Sequence, residues 1–172
     1  MIRDTEIIVY TGEIAIASSG TILISSPLGS CIAVCAYDPV FRVGGMAHVM
    51  LPGQAPESVT REKTRYAENA LESLFKEMRE KGAAQANLQT CLVGGANVLR
   101  RENDTIHVDN LASIISCLQQ RNIPICRCST GGFERMSARL DHLKGRVYNS
   151  IGNGPETPLF DFHAGPVMIK QP

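Results

Sequence analysis

Cys31 closes the segment Pro27-Leu28-Gly29-Ser30-Cys31. His48 follows seventeen residues later, inside Gly44-Gly45-Met46-Ala47-His48-Val49-Met50-Leu51-Pro52. A cysteine and a histidine are the parts of a thiol nucleophile and its base. A free thiol with a pKa near 8.5 is only ~3% thiolate at pH 7, so a neighbouring imidazole matters. It can hold the thiolate as an ion pair and then protonate a departing amine. Gly29 allows a tight turn that brings backbone N–H groups near the sulfur. The N–H groups of Ser30 and Cys31 could then form an oxyanion hole for a tetrahedral intermediate. Each residue alone has a plainer reading. Cys31 could be a buried thiol where a strand begins, and His48 a core histidine satisfied by one hydrogen bond. Together, the reading as nucleophilic chemistry gains ground.

For His48 to lie beside Cys31, the chain between them must double back as a hairpin. The pattern predicts strands at 6–10, 21–25, 31–37 and 43–51, from Ile and Val content between Gly, Pro and Ser. A loop rich in Pro and Gly spans 52–60. Ala67, Ala70, Leu71, Leu74, Phe75 and Met78 make an i, i+3, i+4 stripe, which predicts a helix over 64–81 with Gly82 as its C-terminal cap. A strand is expected at 87–94, running into a glycine turn. A second helix over 110–121 would bury Leu111, Ile114, Ile115 and Leu118, with Asp109 as cap. Another strand is expected at 124–129, and a short hairpin over 139–148 around Lys144-Gly145. Strands grouped ahead of a lone helix indicate α+β rather than regular βαβ alternation. The expected organisation is one domain over residues 1–150. The stretch 151–172, rich in Gly and Pro, would be a poorly ordered tail.

At 172 residues the chain is the size of one domain that builds its core without staples. Lys and Arg (17) balance Asp and Glu (17), which argues against nonspecific binding to nucleic acid or to an anionic membrane. Trp is absent and aromatics make up 5%, so base-stacking platforms are not expected. The uncharged run 14–37 is long enough to span a bilayer. Gly20, Pro27, Gly29 and its serines instead make it read as buried strands broken by turns. The N-terminal residues lack a signal-peptide pattern, so a cytoplasmic protein is expected. In that compartment the six cysteines read as reduced thiols rather than a disulfide framework.

The motif Leu28-Gly29-Ser30-Cys31, then Tyr37-Asp38-Pro39 and Gly45-Met46-Ala47-His48-Val49-Met50-Leu51-Pro52, resembles the chemoreceptor glutamine deamidases, the CheD family. The likeness continues through Arg65-Tyr66-Ala67, Asn69-Ala70, Gly94-Gly95-Ala96-Asn97, Asn110, Asn122-Ile123-Pro124-Ile125 and Thr130-Gly131-Gly132, in order over about residues 6–148. The resemblance implies a layered α/β sandwich with mixed, largely antiparallel sheets and two main helices. It implies a cysteine hydrolase that converts glutamine side chains of methyl-accepting chemotaxis receptors to glutamate, with no metal or organic cofactor. Receptor methylesters are a second implied substrate, and a CheC-type phosphatase a second partner. Carried over by position, Cys31 is the nucleophile, His48 the base and acid, and Ser25, six residues ahead of Cys31, the third catalytic member.

Two positions depart from the family pattern. Ser25 replaces a threonine, keeping the hydroxyl but not the methyl that restricts its rotamer. Pro27 stands where glycine is common, and proline fixes φ and has no N–H to donate. Gly94, Gly95 and Asn97 could position the substrate amide, although a tight turn is the plainer reading. Two other functions remain open at this level. One is a non-catalytic interaction module for a CheC-type phosphatase. The other is a redox or metal protein using Cys31, Cys35, Cys126 and Cys128.

Overall fold

The computed structural model describes residues 5–165. Ten strands form two five-stranded sheets. They are β1 (Thr5–Val9), β2 (Ile14–Ala17), β3 (Thr21–Ser25), β4 (Ile32–Asp38), β5 (Val43–Val49), β6 (Gln89–Gly94), β7 (Ile125–Thr130), β8 (Met136–Asp141), β9 (Arg146–Ile151) and β10 (Thr157–Asp161). The two α-helices are α1 (Ala67–Glu80) and α2 (Ile106–Gln120). One sheet has the order β1-β3-β8-β9-β10 and the other β2-β5-β4-β6-β7. The pairs β1–β3 and β6–β7 are parallel, and every other pair is antiparallel. The expected α+β sandwich with mixed, largely antiparallel sheets and two helices is what the chain adopts.

The burial pattern explains the layering. β4 and β5 are buried along their whole length, as strands covered on both faces must be. One face of β4 carries Ala33, Cys35 and Tyr37, which meet Leu23, Leu140, Val147 and Phe162 of the other sheet. The opposite face carries Ile32, Val34 and Ala36, which meet Leu71, Leu74, Phe75 and Met78 of α1 and Ile114 and Leu118 of α2. The molecule is therefore sheet, sheet and helix layers, with β4 and β5 at its centre.

Boundaries shift where tertiary contacts override local pattern. The first helix starts at Ala67 because the Arg65 carbonyl accepts from Met50 and Leu51 N–H, and Tyr66 stays extended. The second helix starts one turn before the expected 110. Asp104 Oδ1 accepts from Ile106 N–H at 3.1 Å. Asp109, expected as the cap, instead accepts from the Thr105 hydroxyl inside the first turn. Gly82 takes a positive φ after α1, as expected of a C-terminal cap. The stretch beyond 150 does not form the expected unstructured tail over its described part. β10 pairs with β9, and Phe162 is buried and stacks on Tyr37. The remainder, 166–172, lies outside the described residues.

Candidate active site

β4 and β5 form the predicted hairpin, in a register that places Ala33 opposite His48 and Ile32 opposite Val49. Cys31 immediately precedes β4, two residues from Ala33, and so shares its face, towards the other sheet. Its side chain packs at the edge of that inter-sheet core, half-buried. His48 is fully buried on the same face. Thiol and imidazole are thus diagonal neighbours across two hydrogen-bonded strands, a separation within reach of side chains.

His48 is held from several sides. Its backbone N–H donates to the Glu13 carbonyl, and its carbonyl accepts from Gly12 N–H. Nδ1 lies 3.1 Å from the Val9 carbonyl, at the end of β1 in the opposite sheet. A carbonyl can only accept, so Nδ1 carries the proton and Nε2 is the free base. Nε2 is buried and has no hydrogen-bond partner among the described residues. The Ser26 hydroxyl stands 3.3 Å from Nδ1, and Ser26 N–H also donates to the Val9 carbonyl.

Ser25 is placed differently from expectation. Its Oγ accepts from Ala138 N–H at 2.9 Å, where the β3–β8 ladder has just ended. In this structure the hydroxyl beside His48 belongs to Ser26. The cause is local: β3 stops at Ser25, whose side chain closes the ladder, and the chain turns at Ser26 over the imidazole.

Burial governs the electrostatics of the pair. It pushes the Cys31 thiol above its ordinary value, although the residue's own N–H beside the sulfur works the other way. It pushes His48 below its ordinary value, against the opposing pull of the Val9 carbonyl and Glu13. Both shifts favour the neutral forms. Both work against the ion pair the sequence suggested.

The loop carrying Cys31 is braced on three sides. Leu28 exchanges two backbone hydrogen bonds with Met136 of β8. Gly95 N–H donates to the Cys31 carbonyl at 2.9 Å and Ala96 N–H to the Gly29 carbonyl at 2.8 Å. Gly94 and Gly95 both have positive φ, and a Cβ on Gly94 would strike the Cys31 carbonyl. These glycines, expected near the substrate, support the Cys31 loop. Asn97 lines the cleft, but its amide is closed on Arg101 backbone at 3.1 and 3.2 Å. The third brace is Asn110 of α2, which sequence reading matched to a family but gave no role. Its Nδ2 donates to the Ser30 and Met50 carbonyls, each at 3.0 Å.

Cys31 opens onto a cleft of about 430 Å³, lined also by Pro27, Ser30, Leu99, Asp104, His107 and Arg135. The N–H groups of Ser30 and Cys31 donate to no acceptor among the described residues other than the Cys31 sulfur itself. They are available to a developing oxyanion. His107 and Arg135, not singled out as site residues by sequence, reach this cleft through the start of α2 and the turn before β8. Of the thiol set Cys31, Cys35, Cys126 and Cys128, the last three lie around Cys91 in the sheet, and Cys31 stands at the cleft. Cys35 is fully buried opposite Cys91, with its thiol pushed up to about 12 by burial. Among the described residues no group of three or more His, Cys, Asp or Glu could hold a metal.

A thiol and unspent N–H groups at a cleft, with an imidazole buried on the same face of the sheet, are the equipment of acyl-transfer chemistry. Comparison with known proteins gives this class a family. The family described as CheD chemotactic sensory transduction matches residues 50–150. The probable chemoreceptor glutamine deamidase CheD of Chlorobium luteolum is 60% identical over 156 residues, 91% of this chain and 78% of that protein. The chemoreceptor glutamine deamidase CheD of Thermotoga maritima is 30% identical over 153 residues, 88% of this chain and 96% of its own. The Caulobacter vibrioides relative, a probable chemoreceptor glutamine deamidase CheD, is 30% identical over 157 residues, covering 90% and 83%. The chain belongs to the CheD family.

Proposed function

We propose that this protein hydrolyses glutamine side chains of chemoreceptors to glutamate, with Cys31 as nucleophile and His48 as base and acid. Membership of the CheD family supports the reaction and the receptor substrate. The observation that carries the residue assignment is the His48 ring. Nδ1 is committed to Val9, while Nε2 is buried, without a partner among the described residues, and the ring lies on the Cys31 face of the sheet.

The reaction begins from the neutral pair. The substrate carboxamide enters the cleft, and Cys31 Sγ attacks its carbonyl carbon as His48 Nε2 takes the thiol proton. The N–H groups of Cys31 and Ser30 receive the oxyanion. The imidazolium, its Nδ1–H still on the Val9 carbonyl, gives its proton to the nitrogen, and ammonia leaves. A thioester remains. Water then attacks the thioester carbon, with Nε2 again taking the proton. Collapse releases glutamate and returns the proton to sulfur. The net change is one water consumed and one ammonia released per glutamine. Gly94 and Gly95 act in this scheme by holding the loop, and Ser26 shares the orientation of His48 with Val9.

The substrate would be the receptors' cytoplasmic segment, which places the enzyme in the cytoplasm. No helix among the described residues is long and apolar enough to cross a membrane. A CheC-type phosphatase is retained as a proposed second partner on family resemblance alone. The function is tested by ammonia release from a purified receptor cytoplasmic fragment. Wild type should release ammonia, and Cys31→Ala and His48→Ala should not, while all three keep the same melting curve. Release by Cys31→Ala would overturn the assignment.

A further inference from the structure

Asn110 is a primary amide at a fully buried position, on the helix stripe that otherwise carries Ile114 and Cys117 into the core. A polar side chain there costs free energy unless it is hydrogen-bonded. Both N–H bonds of Nδ2 are used, on the carbonyls of Ser30 and Met50, whereas Oδ1 has no partner among the described residues. The reverse amide orientation would set an oxygen against two carbonyl oxygens, so the donor placement is fixed by chemistry.

These two carbonyls flank the reacting pair. Ser30 precedes Cys31, and Met50 lies two residues beyond His48. The β4–β5 ladder ends at Ile32 and Val49. Beyond it β5 turns away, with Met50 N–H going to the Arg65 carbonyl. Asn110 therefore bridges the two chains just where backbone pairing has stopped.

The Ser30 carbonyl and the Cys31 N–H belong to one peptide group, and no described peptide is cis. In a planar trans peptide the C=O and N–H point in opposite directions. A donor that grips the carbonyl from the α2 side aims the N–H the other way, towards the sulfur. Hydrogen bonding at the oxygen also polarises the group and strengthens its N–H as a donor. We propose that Asn110 is a positioning residue that aims and polarises the Cys31 N–H for the oxyanion while fixing the spacing of the Cys31 and His48 strands. This rests on the reading of Cys31 as the acyl-accepting nucleophile, though not on the identity of the receptor substrate.

Two reagents separate an oxyanion role from a packing role. p-Nitrophenyl acetate acetylates the thiol through a tetrahedral oxyanion, expelling p-nitrophenolate. Iodoacetamide alkylates it by direct displacement of iodide, with no oxyanion. Rates for Cys31 would be read by peptide mass mapping in wild type, Asn110→Ala and the equal-volume Asn110→Asp. The expected result is an acetylation rate lowered about tenfold to a hundredfold, with alkylation within about threefold of wild type. On a receptor fragment the same variants should lose kcat with KM little changed. Equal loss of both reagent rates, no loss of either, or failure of both variants to fold would overturn the proposal. Should wild type acetylate at Cys31 yet leave receptor glutamines untouched, the deamidase reading fails and this one stands.

Discussion

At the scale of residues, burial pushes the Cys31 thiol and the His48 imidazole towards their neutral forms. Cys31 is raised and His48 lowered, so the pH profile has a defined shape. The proposed mechanism needs neutral His48. Activity should hold from about pH 7 to 8.5 and fall on the acid side, as the imidazole protonates below its ordinary 6.5. The same depression makes the buried neutral ring a stabilising feature that is fully present above 6.5 and lost as pH falls through the folded value. Iodoacetamide modification of Cys31 should climb across this range without an acid plateau. Fast alkylation at about pH 5 to 6 would reveal an ion pair and contradict the assignment. The two serines should also separate. Ser25→Ala leaves Ala138 N–H buried without its acceptor, costing about 1–3 kcal/mol in denaturant melts with chemistry little changed. Ser26→Ala should leave stability nearly unaltered and slow ammonia release by about threefold to tenfold. Cys31 and His48 could be proposed from the sequence because their residue types carry their chemistry. The choice between Ser25 and Ser26 could not, because it depends on which hydroxyl is spent closing a sheet ladder.

At the scale of elements, the hairpin β4–β5 delivers both groups, and β8, the turn after β6 and α2 brace the Cys31 loop beside it. This makes the tolerance of nearby glycines unequal. Gly94→Ala must push a methyl into the Cys31 carbonyl at a positive φ, and should destabilise by about 2 kcal/mol or more and abolish ammonia release. Gly29→Ala meets only Val98 at 3.6 Å, outside the left-handed region, and should melt within a few degrees of wild type. Paired melting curves and activities decide both. The central strands and the amphipathic first helix could be read from periodicity, because their apolar patterns are strong. β2 and β10 could not. Each is a short edge strand: β2 pairs with β5 far along the chain, and β10, which follows β9 directly, has its alternation interrupted by Pro158 and a register shift. The start of α2 was missed for a related reason. Asn110 breaks the apolar stripe in sequence but is buried in space, its amide satisfied only by loops from elsewhere.

At the scale of the whole molecule, the sandwich has two poles. Cys31 opens onto its cleft at one end of β4. At the other end Tyr37 stacks on Phe162, which β10 brings into the core, and donates its hydroxyl to the His142 carbonyl. Phe162→Ala should therefore cost about 3–5 kcal/mol by urea denaturation while leaving kcat unchanged where the variant is folded. Unchanged stability would mean the chain beyond 150 contributes nothing to the domain, as its sequence first suggested. The central claim is that the folded chain uses Cys31 to replace a receptor amide nitrogen with oxygen from water. Its most direct test is peptide mass mapping of a receptor cytoplasmic fragment after incubation in water enriched in oxygen-18, with wild type and Cys31→Ala side by side. Hydrolysis should add about three daltons at particular glutamines with wild type and none with the variant. The same mass gain in both reactions, or an unaltered receptor with a folded wild-type protein, would contradict it.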